Sequence, residues 1–318
     1  MALIMAGAPG EGRREVAEGM LLALEGAVGE QRGDGGGGAD AGAAEVVWDR
    51  VVDAAHVAHP IRQCGELSLD EFQEHMDVLN TPVIICGALS QWPALGARPW
   101  SSPAYLLSLT HGGRRLVPVE VGRAYTDAGW GQKIVPFREF LETYMTEGAT
   151  EIGYLAQHTL FNQIPRLRND IVIPDYCYAD PGDPPGNVKA TEMLGEPVIN
   201  AWLGPRGTVS PLHTDPYANV LAQVVGSKYV RLYPPEETPR VFPRGVEEGG
   251  VDMGNTSRAE VEEEGGGSEL TEEESEVFKQ ARYVDCVFRE GELLFVPAGW
   301  WHYVRSLETS FSVSFWWN

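Results

Sequence analysis

The C-terminal third of the chain contains several short apolar runs in close succession, separated by turn residues, which predicts a series of short β-strands. The expected strands are "NVLAQVV", "KYVRLY", "GELLFVPAG", "WHYVRSL" and "SFSVSFWW". In the last, Phe311, Val313 and Phe315 alternate with serines, a pattern typical of a half-buried strand. Gly226-Ser227 lies between the first two strands and predicts a two-residue hairpin turn. Short strands joined by tight turns favour a sandwich or a closed barrel.

The middle of the chain carries helix signals between two strand-like stretches. The residues from Ser68 to Glu71 form a capping box, which predicts a helix running through about Leu79. Pro103 and Pro136 suit the first positions of two further helices, "PAYLLSLT" and "PFREFLETYM". "PVIICG" (82–87) and "RLVPVEVG" (115–122) are interpreted as strands.

The first 60 residues are predicted to be a helical appendage to one domain that spans residues 61–318. Residues 13–28 have the apolar spacing of an amphipathic helix. Residues 33–42, "GDGGGGADAG", have the composition of a flexible linker. A second helical stretch is expected over residues 47–54.

An acidic insertion interrupts the strands at about residues 245–276 and includes "EVEEEGGGSELTEEESE". It has too few apolar side chains to order itself firmly, so we interpret it as a solvated surface loop. A docking site for a basic partner is the alternative. The net charge of −22 argues against sequence-independent binding of nucleic acid, which needs clustered Lys and Arg. The same charge suits an Arg- or Lys-rich peptide.

Cysteine usage and hydropathy indicate an intracellular, soluble protein. The four cysteines are widely scattered and form no C-x-x-C motif, which speaks against a zinc knuckle or a thioredoxin-type site. No run approaches the 18 or so apolar residues of a membrane span. We expect a nuclear or cytoplasmic location, although no basic cluster marks a nuclear address. The sequon Asn255-Thr256-Ser257 then has no expected meaning.

A candidate metal site begins in "SPLHTDPYANV" (210–220). His213 and Asp215 are two residues apart, so on a strand they project from the same face. His302 begins a later strand after a Pro-Ala-Gly turn, and strand pairing in a barrel could bring it to the pair. Two His and one carboxylate are the ligand set of non-haem Fe(II), and they leave three positions for a 2-oxo acid and dioxygen. The alternative is a hydrogen-bonded core His213 and an Asp215 that caps a turn.

Lys228 opens "KYVRLY", on the strand expected across the hairpin from "NVLAQVV". A lysine among apolar strand residues is seldom buried without a partner. The distal carboxylate of a 2-oxo diacid would be such a partner, through a charge-assisted hydrogen bond. The alternative is a solvated lysine on an edge strand.

Two long stretches resemble a jumonji-C (JmjC) oxygenase domain. They are "AWLGPRGTVSPLHTDPYANVLAQVVGSKYVRLYPP" and "GELLFVPAGWWHYVRSLETSFSVSFWW". "YLAQHTLFNQIPRLRNDIVIPDYC" (154–177) matches the segment that precedes the barrel in one subgroup of the family. The resemblance covers about residues 60–318 apart from the acidic insertion, which is longer than expected, and residues 1–45 have no counterpart. It implies a mainly β fold with flanking helices, a cupin-like jelly roll known as the double-stranded β-helix.

The resemblance also implies a set of cofactors and of residues that bind them. The cofactors are Fe(II), 2-oxoglutarate as cosubstrate, and O2. The implied iron ligands are His213, Asp215 and His302, which are also the catalytic residues, and Lys228 binds the distal carboxylate of 2-oxoglutarate. Further implied cosubstrate residues are Tyr154 and Ser210 as hydroxyl donors, Asn219, and the pocket walls Gln157, Trp202 and Trp316. The two tryptophans could instead belong to the core.

The matching subgroup is associated with hydroxylation of arginine at C3 in proteins and with demethylation of histone lysine. Glu120 in "VPVEVG" and Trp130 in "YTDAGWGQ" match the arginine-pocket residues of that subgroup. A carboxylate can bind a guanidinium group bidentately, and an aromatic ring can stack on its plane. Tyr125 is expected to help close the pocket. The alternative for Glu120 is an exposed strand face.

The resulting hypothesis is an Fe(II)- and 2-oxoglutarate-dependent protein oxygenase that hydroxylates arginine side chains of a basic protein or peptide. Demethylation of N-methyl-lysine is the first alternative, because hydroxylation of an N-methyl group leads to loss of formaldehyde. Oxidation of an RNA base fits poorly with the charge of −22. A non-catalytic binding module on a cupin scaffold is the alternative from another class, and the intact ligand set and Lys228 argue against it.

Overall fold

The computed structural model describes residues 46–318 apart from 128, 248–249 and 263–268, and also residues 19, 20 and 23. The predicted helix over 13–28 therefore falls almost wholly outside the described residues, and its three described positions are helical. The predicted linker over 33–42 lies outside them entirely.

The described residues from 46 onward contain thirteen β-strands and six α-helices, with three 3-10 turns. The strands are β1 Arg62–Cys64, β2 Val83–Cys86, β3 Leu116–Val121, β4 Gly131–Pro136, β5 Gly153–His158, β6 Val198–Gly204, β7 Val209–Thr214, β8 Ala218–Val225, β9 Ser227–Tyr233, β10 Val284–Arg289, β11 Glu292–Val296, β12 Trp301–Ser306 and β13 Ser310–Trp317. The helices are α1 Leu69–Val78, α2 Pro103–Leu109, α3 Phe137–Tyr144, α4 Leu160–Gln163, α5 Pro165–Arg168 and α6 Glu272–Lys279, and the 3-10 turns are Pro93–Leu95, Asp175–Tyr178 and Pro235–Arg240.

The strands form two sheets that face each other. The large sheet has nine strands in the order β1-β2-β11-β8-β13-β6-β5-β3-β4, and the small sheet has four in the order β10-β9-β12-β7. From β6 to β13 the chain passes back and forth between the sheets, with only β9 and β10 staying in the same one. Apolar residues from both sheets meet in one cluster, which includes Leu221, Leu294, Val230 and Phe288. This is the jelly roll that the resemblance implies.

The predicted hairpin at Gly226-Ser227 is wrong, because β8 and β9 do not pair with each other. β8 pairs with β11 and β13 in the large sheet, while β9 pairs with β10 and β12 in the small sheet. Gly226 has a φ of +73°, and a Cβ at this position would collide with the carbonyl of Thr309. The turn therefore carries the chain across the barrel. A turn signal predicts where the chain changes direction, but it does not predict which strands pair with each other.

The last strand, β13, is buried along its whole length and not on one face alone, as the alternation predicted. Its apolar side chains belong to the main core, against the helices. Its serines point into the barrel, where Ser312 donates to Gln223 at 2.7 Å and Trp202 donates to Ser314 at 2.9 Å. The polar face of the alternation thus meets a polar barrel interior and not solvent.

The helices agree closely with the sequence signals. Both hydrogen bonds of the capping box join Ser68 and Glu71 at the start of α1. Pro103 is the first residue of α2, whereas Pro136 lies one residue before α3. These helices pack on the outer face of the large sheet, where Phe72 of α1 contacts Phe295 edge-on. None of the described helices is both long and apolar enough to cross a membrane.

The predicted helix over residues 47–54 is wrong, because residues 46–60 form an extended strap along the barrel. Trp48 forms a β-bridge just after α3, and the N–H of Asp53 donates to a backbone carbonyl after β12 at 2.7 Å. Further along, the buried carboxylate of Asp285 accepts two backbone N–H groups of the strap. Hydrogen bonds to the barrel and the β-branched valines favour an extended backbone over the weak helical spacing.

The acidic insertion is folded onto the barrel over its described residues, although its composition predicted a solvated loop. Thr256 and Ser257 are buried, and α6 begins with a capping box. Glu262 accepts hydrogen bonds from Arg305 of β12 at 2.6 and 3.1 Å. Backbone pairing and ion pairs thus hold the segment in place of the apolar burial that it lacks.

Candidate active site

The structure brings the three predicted metal ligands together. His213 on β7 and His302 on β12 are directly paired across the small sheet, and Asp215 follows β7 at once. The two imidazole centroids are 4.1 Å apart, and Nε2 of His302 is 3.6 Å from Oδ2 of Asp215. One ligand atom from each residue lies within 4.8 Å of those of the other two. Two nitrogens and one carboxylate oxygen can therefore bind one ion from one side.

Backbone carbonyls orient both imidazole rings. Nδ1 of His213 is 2.7 Å from the carbonyl of Pro211, and Nδ1 of His302 is 3.0 Å from that of Trp300. A carbonyl can only accept, so each Nδ1 donates to its carbonyl and each Nε2 is the nitrogen left to bind a metal. Burial, reinforced by the neighbouring His213, lowers the pKa of His302 to about 4. The ring is thus neutral, as a ligand has to be.

Lys228 is buried between the two sheets, so the alternative of a solvated edge lysine is wrong. It lies on the interior strand β9 and is 2% exposed. Its Nζ lies 3.4 Å from the hydroxyl of Tyr154, and none of the described carboxylates forms an ion pair with it. Burial lowers the pKa of Lys228 to about 7. A buried ammonium without a counter-charge is costly, so this position calls for an anionic ligand.

A cavity between the sheets joins Lys228 to the three candidate ligands. Five more of the predicted cosubstrate residues line it: Tyr154, Ser210, Asn219, Trp202 and Trp316. Oδ1 of Asn219 and Nε1 of Trp316 are buried and have no hydrogen-bond partner among the described residues. Apart from Ser314, the rest of the wall is apolar, from Leu221, Val230, Leu294, Val296 and Val304. The cavity thus offers an unpaired cation, an unpaired acceptor and an unpaired donor in an otherwise dry space.

Gln157 departs from the predicted set. Its side chain is exposed, and it is not among the residues that line the cavity. It has a φ of +44°, at an irregularity in the pairing of β5 with β6. The structure therefore does not bring Gln157 together with the other cosubstrate residues.

Glu120 and Trp130 meet beside this cavity. Nε1 of Trp130 donates to Oε2 of Glu120 at 3.3 Å, and Glu120 on β3 is directly paired with Tyr154 on β5. Glu120 is half-buried, so the alternative of an exposed strand face does not hold. Burial raises the pKa of its carboxyl, and the hydrogen bond from Trp130 offsets part of that effect. A half-buried carboxylate of this kind favours a cationic ligand.

Tyr125, in the loop between β3 and β4, lies near both Glu120 and the candidate metal ligand Asp215. Burial raises the pKa of its hydroxyl to about 12, and the carboxylates of Asp215 and Glu120 lie near enough to contribute. Its hydroxyl is 3.2 Å from Oγ1 of Thr256 in the acidic insertion. Tyr125 therefore lies near the candidate ligand Asp215 and also near Glu120, which binds Trp130.

Sequence reasoning missed two residues of the site. Ser314 lines the cavity and accepts the indole N–H of Trp202, whereas the alternation assigned the serines of β13 to solvent. Thr256 carried no signal beyond its place in a sequon. Ser314 could have been predicted from the alternation of β13. If both faces of this strand are buried, its three serines have to face the interior of the barrel.

Comparison with known proteins agrees with this geometry. A family model described as "Cupin-like domain" matches residues 69–318, which include every candidate ligand, Lys228 and all the described strands except β1. The chain belongs to the cupin-like JmjC family. The resemblance seen in the sequence is thereby confirmed, as is the fold that it implied.

Several relatives of this JmjC chain carry names that refer to activity. It is 43% identical over 251 residues to "Lysine-specific demethylase 8" of Xenopus tropicalis, covering 79% of this chain and 51% of the relative. It is 46% identical over 253 residues to the protein of the same name from Danio rerio, covering 79% and 56%. It is 39% identical over 262 residues to "Jumonji C domain-containing protein 5" of Drosophila melanogaster, covering 81% and 60%. The JmjC chain thus spans about half the length of these curated relatives.

Proposed function

We propose that this JmjC protein is an Fe(II)- and 2-oxoglutarate-dependent oxygenase that hydroxylates arginine side chains, at C3, in a basic protein or peptide. The observation that carries the arginine assignment is the Glu120–Trp130 pair, because Glu120 is paired with Tyr154 of the cavity wall. A nuclear or cytoplasmic location is part of the proposal.

The donor set fits the implied cofactors. His213, Asp215 and His302 would hold Fe(II), and all three side chains line the cavity. Lys228 would bind the distal carboxylate of 2-oxoglutarate, with hydroxyl groups of Tyr154 and Ser210 beside it. Together with O2, these cofactors supply the oxidant, since one oxygen atom enters succinate as CO2 leaves and the other enters a substrate C–H bond.

The chain's own residues then bind, orient and shield the reactants. The apolar wall of the cavity excludes water, so that the charge of Lys228 acts more strongly on a carboxylate than it would in solvent. Asn219 and Trp316 offer an acceptor and a donor that are unused by the described residues. Ser314 fixes Trp202 through the indole N–H.

The substrate pocket favours a guanidinium group. The carboxylate of Glu120 can accept two parallel N–H bonds from arginine, and the N–H of Trp130 holds that carboxylate in place. An indole face can also stack on a planar cation. The net charge of −22 draws basic peptides towards the protein.

Demethylation of N-methyl-lysine is the second candidate, and the names of the frog and zebrafish relatives favour it. The same iron chemistry serves both reactions. Methylated ammonium groups are commonly bound by several aromatic rings, whereas the pocket described here has a carboxylate that is bonded to one indole, with one tyrosine beside it. A non-catalytic cupin module is the third candidate, and the complete ligand set together with the unpaired Lys228 disfavours it.

Two matched peptides distinguish these candidates. They differ at one position, which holds either arginine or methyl-lysine, and each is incubated with the protein, Fe(II), 2-oxoglutarate and air. We expect a mass gain of 16 on the arginine peptide from insertion of one oxygen, and a strong reduction of that gain in Glu120→Gln. A loss of 14 from the methyl-lysine peptide alone would replace the arginine assignment by demethylation. Equal succinate release from His213→Ala and the unaltered protein would eliminate the enzymatic proposal altogether.

A further inference from the structure

Residues 255–257 of the acidic insertion extend the small sheet next to the candidate metal ligands. β7 is an edge strand of that sheet, and it carries His213. Backbone hydrogen bonds of 2.9 and 2.8 Å join this segment to β7, and Thr256 forms an antiparallel bridge with His213. The insertion thus adds a β-bridge, held by two flanking backbone hydrogen bonds, at the edge of the candidate site.

This pairing decides where the side chain of Thr256 points. Residues directly opposite each other in an antiparallel pair project from the same face of the sheet. The imidazole of His213 lies on the inner face, so Thr256 also faces inward, and it is 1% exposed. Its Oγ1 lies 3.2 Å from the hydroxyl of Tyr125, while its contact with Oδ1 of Asn255 is longer, at 3.5 Å.

The backbone on either side of this contact is held independently of the two hydroxyl groups. The N–H of Thr256 donates to Met253 at 2.9 Å, and its carbonyl accepts from Arg244 at 2.7 Å. On the other side, the carboxylate of Asp127 accepts the N–H of the residue before Tyr125 at 3.1 Å. Removal of the Thr256 hydroxyl therefore releases the end of the tyrosine side chain without removing what anchors either loop.

We propose that Thr256 is a positioning residue that holds Tyr125 at the side of the substrate pocket, close to Asp215 and Glu120. The inference rests on the proposed function and extends it to the acidic insertion. A tyrosine fixed at its hydroxyl narrows the pocket towards the Glu120–Trp130 pair, so the bound side chain loses less freedom than it would beside a mobile ring. Thr256 acts on substrate affinity and leaves the binding of 2-oxoglutarate unchanged.

The test compares Thr256→Val with Thr256→Ser and with a matched control, Thr309→Val. Thr309 is also buried, and its hydroxyl has no partner among the described residues. We expect Thr256→Val to raise the KM for the peptide about fivefold, the usual effect of losing one hydrogen bond. The serine variant and the Thr309 variant should stay within about twofold of the unaltered protein. All variants should keep the same 2-oxoglutarate turnover without peptide.

A second measurement follows the contact itself and does not depend on activity. In protein labelled with 13C in its tyrosine rings, the resonance that disappears in Tyr125→Phe belongs to Tyr125. It should shift in Thr256→Val and stay in place in Thr309→Val. An unshifted resonance, an unchanged peptide KM or an altered turnover without peptide would each overturn the inference.

The outcomes also separate this inference from the proposed function. If only the methyl-lysine peptide is oxidised, the arginine assignment fails, while the KM for that peptide still decides whether Thr256 acts as proposed. If the unaltered protein oxidises neither peptide, both proposals fail.

Discussion

The small sheet and the large sheet face each other across the cavity, yet they contribute different kinds of side chain. The small sheet carries the two candidate histidine ligands and the unpaired Lys228. The large sheet carries neutral hydrogen-bonding groups such as Asn219 and Ser314 on its inner face, and most of the hydrophobic core on its outer face. The charged groups that line the cavity thus lie on or next to the four-stranded sheet, whereas the nine-stranded sheet supplies neutral groups to the cavity and packs against the main core. Substitutions on the two sheets should therefore have effects of different kind.

The largest expected effect is on the small sheet, at a metal ligand. His302→Ala should lower 2-oxoglutarate turnover by more than about 100-fold, because loss of a partner that merely orients a ligand already costs 10- to 100-fold. Succinate release measures this effect. His56→Ala, on the exposed part of the strap, is the control and should retain full turnover. Substantial turnover in His302→Ala would remove this histidine from the metal site.

A charged residue on the same sheet should separate binding from stability. Lys228→Met should weaken 2-oxoglutarate binding about 30-fold, because a charge-assisted hydrogen bond contributes about 2 kcal/mol. The same variant should raise the free energy of unfolding of the free protein, since it replaces an unpaired buried charge by an apolar side chain of similar length. Calorimetric titration and thermal unfolding measure the two effects.

The control for this substitution is Lys133→Met, at an exposed position on β4. It should change neither quantity. A Lys228→Met protein that is less stable than the unaltered one would contradict the interpretation of Lys228 as an unpaired buried charge.

The lowered pKa of Lys228 predicts a pH dependence of binding. The free protein holds this lysine charged below about pH 7 and neutral above it. Binding of a carboxylate favours the charged form, so affinity for 2-oxoglutarate should fall by up to about tenfold per pH unit above pH 7. Titration in the presence of Mn(II) without oxygen, between pH 7 and pH 9, measures this fall.

The lowered pKa of Lys228 also predicts how the stability of the free protein changes with pH. The folded pKa of Lys228 lies below the unfolded value of 10.5, so the unfolded state binds more protons between those values. This lysine therefore makes the free protein more stable as the pH rises from about 7 towards 10.5. In Lys228→Met both dependences should flatten, and a persistent slope in binding would assign it to another group.

The smallest expected effect is on the large sheet. Ser314→Ala removes the acceptor of the Trp202 indole inside the cavity, and should raise the KM for 2-oxoglutarate about threefold through a looser ring. Ser312→Ala is the matched control, because Ser312 bonds to Gln223 and does not line the cavity. Its KM should stay unchanged. Equal effects of both substitutions would show that β13 acts only as a structural strand.

The parts of the site that follow from strand periodicity could be predicted from the sequence. His213 and Asp215 share a face because they are two residues apart, and the capping box at Ser68 is a local signal. The turn at Gly226 could also be predicted, but the strands that it connects could not be assigned to their sheets. Strand pairing depends on contacts across the whole barrel, which place β8 and β9 in different sheets. The strap was misjudged because its contacts come from residues far away in sequence.

Composition was the least reliable guide. The acidic insertion has few apolar residues, yet its sequon residues form a strand beside β7. That pairing relies on backbone groups, which any sequence possesses, and on ion pairs whose partners lie on β12. Gln157 was predicted to line the cavity but does not. It is a polar strand residue with a left-handed backbone conformation, and its side chain lies outside the cavity lining.

The strap has a practical consequence for shortening the protein. Asp285 is fully buried, and its carboxylate accepts the backbone N–H groups of Ala58 and His59 as well as the hydroxyl of Tyr229. A fragment that begins at residue 61, where the domain was expected to start, lacks Ala58 and His59. Of the three donors to Asp285, only the hydroxyl of Tyr229 then remains. A version that begins at residue 46 keeps both backbone donors. The longer fragment should therefore be the one that melts at the higher temperature and survives protease.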